Sequence, residues 1–163
     1  MVSAGQLVNN ITPRAFPGCS HVVLQNEPLF LRTYTDMEGE EAEDVNLRLH
    51  NIVHSSLDVV GERKVGRKGA SGAAEVSTDM FLGHLCPIDE YRVYGYMTST
   101  RLKLLAVLED VNDIREPELK RVFSTVHNFY VNYLRNPFSP LAKPVESAKF
   151  RLAVDRQVNE YNS

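Results

Sequence analysis

The chain has 163 residues, 43% hydrophobic and 24% charged, proportions of a globular protein that can bury a core and not of a disordered or fibrous polymer. Its 18 basic and 21 acidic residues are spread along the sequence to a formal net charge of -3, which excludes the concentrated basic field that holds nucleic-acid phosphates. Two cysteines, Cys19 and Cys86, are too few for a disulfide framework or a thiolate zinc site.

The start, Met1 to Thr12, lacks the basic flank and apolar block of a secretory signal, and no run of about 18 apolar residues follows anywhere. The expectation is therefore a cytosolic protein, in which the glycosylation match Asn10-Ile11-Thr12 is idle. Residues 1–18, with Asn9, Asn10, Pro13, Pro17 and Gly18, read as an N-terminal extension, and residues 19–163 as a single domain. Residues 19–25 predict a short strand and Pro28-Leu29-Phe30-Leu31-Arg32-Thr33-Tyr34 a better one, joined as a hairpin through Asn26-Glu27. The acidic stretch 36–44 cannot bury its charges and is expected as a solvated connection.

From Val45 the apolar period becomes helical. Val45, Leu49, Ile52, Val53, Ser56 and Val60 share one stripe bordered by Leu57, with Asp44 as the N-cap candidate. Residues 64–77, with Gly66, Gly69 and Gly72 among alanines and basic side chains, predict a flexible loop. Three strands follow at 80–86, 92–98 and 102–108, with Pro87-Ile88-Asp89-Glu90 and Ser99-Thr100-Arg101 as reversals, hence an antiparallel meander. Leu104 to Leu108 are continuously apolar, as in a central strand covered on both faces. A second helix opens at Pro117 and carries the stripe Leu119, Val122, Phe123, Val126, Tyr130, Tyr133 and Leu134 to its exit at Asn136-Pro137. Its other side, with Asn128, Asn132 and Arg135, reads as solvated surface. A third helix, beginning near Val145, presents Phe150, Val154, Val158 and Tyr161. The expected fold class is α+β, in the order ββαβββαα.

Several patterns carry possible chemistry. His50, His54 and Asp58 stand at i, i+4 spacing, which can gather metal ligands, yet no other element offers a further ligand and His50 turns toward the flank of the buried stripe. Gly61 to Lys68 has phosphate-loop glycines and lysines without the Gly-Lys-Ser/Thr core, and it follows a helix. His84 and Cys86, two residues apart on a strand, do not make a nucleophile and base. Tyr94 and Tyr96 alternate with Val93, Gly95 and Met97 as a covered sheet requires, so they are read as packing. No enzyme activity, metal or cofactor is expected. Opposite the first helix's stripe lie Leu47, Asn51, His54, Asp58 and Glu62. An exposed leucine among polar and acidic groups suits a protein contact, or else is simply a solvated face.

These segments resemble the sedlin-like subunits of the transport protein particle (TRAPP), closest to the subunit 2-like group. The resemblance is carried by His50-Asn51-Ile52-Val53-His54-Ser55-Ser56-Leu57-Asp58-Val59-Val60, by Phe81-Leu82-Gly83, by Glu90-Tyr91-Arg92-Val93-Tyr94-Gly95-Tyr96 and by Thr98-Ser99-Thr100-Arg101-Leu102-Lys103. Phe123, His127-Asn128 and Asn136-Pro137-Phe138 complete it, so that it covers residues 26–161. It implies a longin-like fold, a five-stranded antiparallel sheet with one helix on one face and two on the other. It also implies a non-catalytic adaptor subunit of a vesicle-tethering complex, bound to other core subunits and to larger complex-specific ones. Such a subunit supports assembly of a Rab guanine-nucleotide exchange factor in ER-to-Golgi and intra-Golgi traffic and meets the Rab GTPase only through the complex. It is cytoplasmic and peripheral at Golgi membranes. The resemblance singles out Asp58, in the Ser-Leu-Asp motif, for partner attachment. The alternatives are a longin-type domain that binds a small GTPase or fusion protein directly, and a carrier of a small apolar ligand held between first helix and sheet. Two departures from the pattern are the extension before Cys19 and the long Gly-rich basic loop.

Overall fold

A computed structural model of the chain describes residues 18–24, 27–34, 39–66, 79–109, 114–140 and 143–162. Strands β1 (Gly18–Leu24) and β2 (Glu27–Tyr34) precede helix α1 (Glu40–Gly66). Strands β3 (Phe81–Ile88), β4 (Tyr91–Met97) and β5 (Leu102–Glu109) follow, then helices α2 (Glu116–Leu134) and α3 (Ala148–Asn162). Every strand pairing is antiparallel, and the sheet order is β2-β1-β5-β4-β3.

The middle place of β5 follows from its sequence. Strand side chains alternate between faces, so the unbroken apolar run Leu104 to Leu108 needs cover on both sides. Leu102, Leu104, Ala106 and Leu108 enter the core formed with α2 and α3, whereas Leu105 and Val107 enter the core formed with α1. The α1 stripe supplies Leu49, Ile52, Val53, Leu57 and Val60 to the latter. The opposite core is built on Leu119, Phe123, Val126 and Tyr130 of α2 with Phe150, Val154 and Val158 of α3. Among its aromatic members Phe30 and Phe150 meet edge to face at 5.1 Å between centroids, a geometry that ring quadrupoles favour, whereas Tyr96 and Phe123 stack.

Several expected boundaries move. The first helix begins at Glu40, not after an Asp44 cap, and so takes in half of the acidic connection. Glu40, Glu41 and Glu43 occupy its first turn, where the positive end of the helix dipole favours carboxylates. The helix also continues through Lys64, Val65 and Gly66, which shortens the loop expected at 64–77. The rest of that loop lies outside the described residues, as do residues 1–17 of the expected extension, while Gly18 already pairs with Tyr34 as the first residue of β1. Pro87 and Ile88 belong to β3, not to the reversal. Because β3 is an edge strand, a proline is tolerated there, and the turn narrows to Asp89-Glu90. Helix α3 starts at Ala148, not near Val145. Ser147 caps it, its Oγ accepting the Phe150 N–H at 3.3 Å. Val145 instead is buried and donates its N–H to the Leu29 carbonyl at 2.7 Å, beside the β-bulge in the β1–β2 pair.

Candidate docking face on the first helix

A helix packed by one stripe leaves the opposite side chains in solvent, and α1 obeys this from Leu47 to Glu62. Leu47, Asn51, His54, Asp58 and Glu62 are all exposed, Leu47 at 63%. At 1.5 Å per residue they form a band roughly 22 Å long. Between Glu40 and Glu62 the helix exposes six carboxylates, Glu40, Glu41, Glu43, Asp44, Asp58 and Glu62, against one cation, Arg48. The band is thus acidic with one apolar knob.

Beneath it, Lys103 of β5 donates from Nζ to the Leu57 carbonyl at 3.1 Å. Burial disfavours its ammonium form and lowers its pKa, which the Asp58 carboxylate partly offsets. Asp58 is therefore tied electrostatically to the central strand while its carboxylate stays accessible. His50 is exposed on the helix as well, and among the described residues no three His, Cys, Asp or Glu side chains gather into a metal site.

The residues with nucleophilic or acid–base character are kept apart. Two register shifts in the β3–β4 pair, between Phe81 and Gly83 and between His84 and Cys86, rotate the edge strand. His84 opposes Tyr94, with ring centroids 5.6 Å apart, and so faces the α2–α3 side. Cys86 opposes Val93 and packs on the α1 side, its Sγ 3.9 Å from Ser56 Oγ. The sheet stands between the two. Leu85, the bulged residue, lies over Gly95, where a Cβ would come within 2.7 Å of its Cδ1.

The densest polar cluster is structural in character. Arg32 on β2 grips Asp155 of α3 with both arms, Nε to Oδ1 at 3.1 Å and Nη2 to Oδ2 at 3.3 Å, and the Tyr34 hydroxyl donates to the same carboxylate at 2.6 Å. It fastens α3 to the outer strand. The space between α1 and the sheet, where the alternative reading of an apolar-ligand carrier would hold its ligand, is filled by Leu49, Val53 and Val60 against Leu85, Val93 and Leu105.

One concavity went unforeseen. It is a groove of about 780 Å³ between the end of α2 and the start of α3, lined by Phe129, Tyr133, Phe138 and Phe150 with Asn132 and Asn136. In the sequence Asn132 reads as plain solvated surface and Asn136-Pro137-Phe138 as a helix exit. The available signal was a phenylalanine placed directly after a helix-ending proline.

Comparison with known proteins places these features in a family. The model of the Sedlin family matches residues 22–160. Over 125 residues, 77% of this chain and 83% of the relative, the chain is 36% identical to the trafficking protein particle complex subunit 2-like protein of Dictyostelium discoideum. It is 34% identical to the proteins of that name from Xenopus tropicalis, over 79% of this chain and 86% of the relative, and from Rattus norvegicus, with the same coverage. An α+β chain with an antiparallel sheet and three helices, matched by the family model from its first strand into its last helix, the protein belongs to the sedlin family.

Proposed function

We propose that this protein is a non-catalytic assembly subunit of a trafficking protein particle complex, and that it attaches larger subunits through the outward face of α1. The observation that carries this reading is the band Leu47, Asn51, His54, Asp58 and Glu62, solvent-facing along about four turns of a helix whose other side is fully packed. The relatives, trafficking protein particle complex subunit 2-like proteins, support the complex. The long-range partition of His84 and Cys86 to opposite faces supports a role without nucleophilic chemistry. In this reading the fold is longin-like, and the protein resides in the cytoplasm and reaches Golgi and ER-Golgi membranes through the complex, as part of the core that assembles a Rab exchange factor. No described helix is long and apolar enough to cross a membrane.

Asp58→Lys tests the reading. It reverses charge at an exposed position of the band, so thermal melting of the isolated chain is expected to change little. Recovery of the large subunits with the tagged chain is expected to fall severalfold. Unchanged recovery would overturn the role of Asp58. Nucleotide-dependent binding of a Rab GTPase by the isolated chain would favour direct GTPase binding instead.

A further inference from the structure

On the other side of the sheet, the α2–α3 groove has the build of a second docking site. Its floor is aromatic, from Phe129, Tyr133 and Phe150, and Phe138 stands at its rim 92% exposed, the most exposed of the large hydrophobic side chains described. That exposure is not the result of a loose loop. Asn136 Oδ1 accepts the Phe138 N–H at 3.1 Å, the Asn136 carbonyl accepts the Ser139 N–H at 2.9 Å, and Ser139 Oγ donates to the Tyr133 carbonyl at 2.9 Å. A turn fixed by three hydrogen bonds holds a phenylalanine in water, where its apolar surface remains uncompensated until something covers it.

Charge says what that covering should be. The described lining holds no carboxylate, in a chain whose net charge is -3. Lys149 lines the groove itself. A concave site with an aromatic floor, two amide side chains and one lysine as its only charge fits a peptide better than a bilayer, which meets protruding and convex surfaces. We propose that the α2–α3 groove binds an acidic, amphipathic segment of another polypeptide, which sets an aromatic or leucine side chain against Phe138 and Phe150 and a carboxylate toward Lys149. The site lies across the sheet from Asp58 and does not depend on the role given to that residue.

The test uses the full chain within its native assembly, with benzoylphenylalanine replacing Phe138 and, as a control, Leu152, which is 68% exposed on α3 but outside the groove lining. On irradiation, position 138 and not 152 is expected to capture a different polypeptide. The captured peptide, read by mass spectrometry, is expected to contain more Asp and Glu than Lys and Arg and at least one leucine or aromatic residue. Phe138→Asp should lower co-purification of that polypeptide roughly tenfold or more, as for an aromatic anchor, without changing the melting temperature. Lys149→Glu should lower it severalfold. Capture of residues 1–17 of the same chain, of a second copy, of lipid or of a basic segment, or yields equal to those at 152, would overturn the proposal.

Discussion

Asp155 receives three hydrogen bonds from two side chains of β2, and its partner Tyr34 reports on the pH behaviour of that junction. Burial raises the Tyr34 phenol above its ordinary pKa of about 10, its bond to the Asp155 carboxylate raises it further, and Arg32 acts in the opposite sense. In the unfolded chain the phenol ionises near pH 10, while in the folded chain it stays protonated to higher pH. The folded state therefore binds more protons above pH 10, and the stability this group contributes is complete below that value and lost progressively above it. Tyr130 and Tyr161 are raised by burial as well and share the alkaline loss. Tyr34→Phe is expected to cost about 1 kcal/mol at neutral pH through the lost hydrogen bond, and to make the decline in melting temperature above about pH 10 shallower than in the unsubstituted chain. Parallel melting curves across that range would show that Tyr34 ionises alike in both states.

At the scale of elements, the edge strand β3 is shaped by its bulges. Gly83 sits at φ +70, a left-handed conformation that glycine adopts without steric cost, and the second bulge lets Leu85 cover Gly95 on β4. A methyl group at position 95 meets Cδ1, Cγ and Cδ2 of a leucine that is 4% exposed, so the whole side chain must move. Gly95→Ala is expected to destabilise by roughly 1–3 kcal/mol in urea unfolding, and Leu85→Ala in the same chain to relieve part of that loss, giving a double-mutant coupling of opposite sign. Strict additivity of the two substitutions would count against the overpacking account. Such bulges mark where the sequence stopped being legible. The stripes of α1 and α2 and the apolar run of β5 could be read because one face or both are buried along a regular period. The start of α1 could not, since acidic residues suit a solvated loop and a helix's first turn alike. The outward band on α1 was legible by subtraction from the buried stripe. The groove was not, because its lining is drawn from two helix ends and a turn that no single period connects.

At the scale of the whole molecule, the sheet separates two surfaces of opposite character. The α1 side exposes six carboxylates and one arginine between Glu40 and Glu62, and the α2–α3 side holds an aromatic groove whose one charged lining residue is Lys149. The layer between them is packed from both directions by β5, whose side chains enter two distinct cores. A rigid layer of that kind transmits little from one side to the other, since coupling requires an element with two arrangements, and sites without shared partners act additively. The chain is therefore expected to bridge, holding one polypeptide on each side at once. With tagged chain, Asp58→Lys should lose the α1-side polypeptides and keep the groove-bound one, Phe138→Asp should do the reverse, and the double variant should lose both while remaining folded by circular dichroism. Affinity for one partner, measured with the other at saturation, should change by no more than about twofold. If either single substitution released both sets, the faces would not be independent and the bridge would reduce to one continuous interface wrapped around the edge of the sheet.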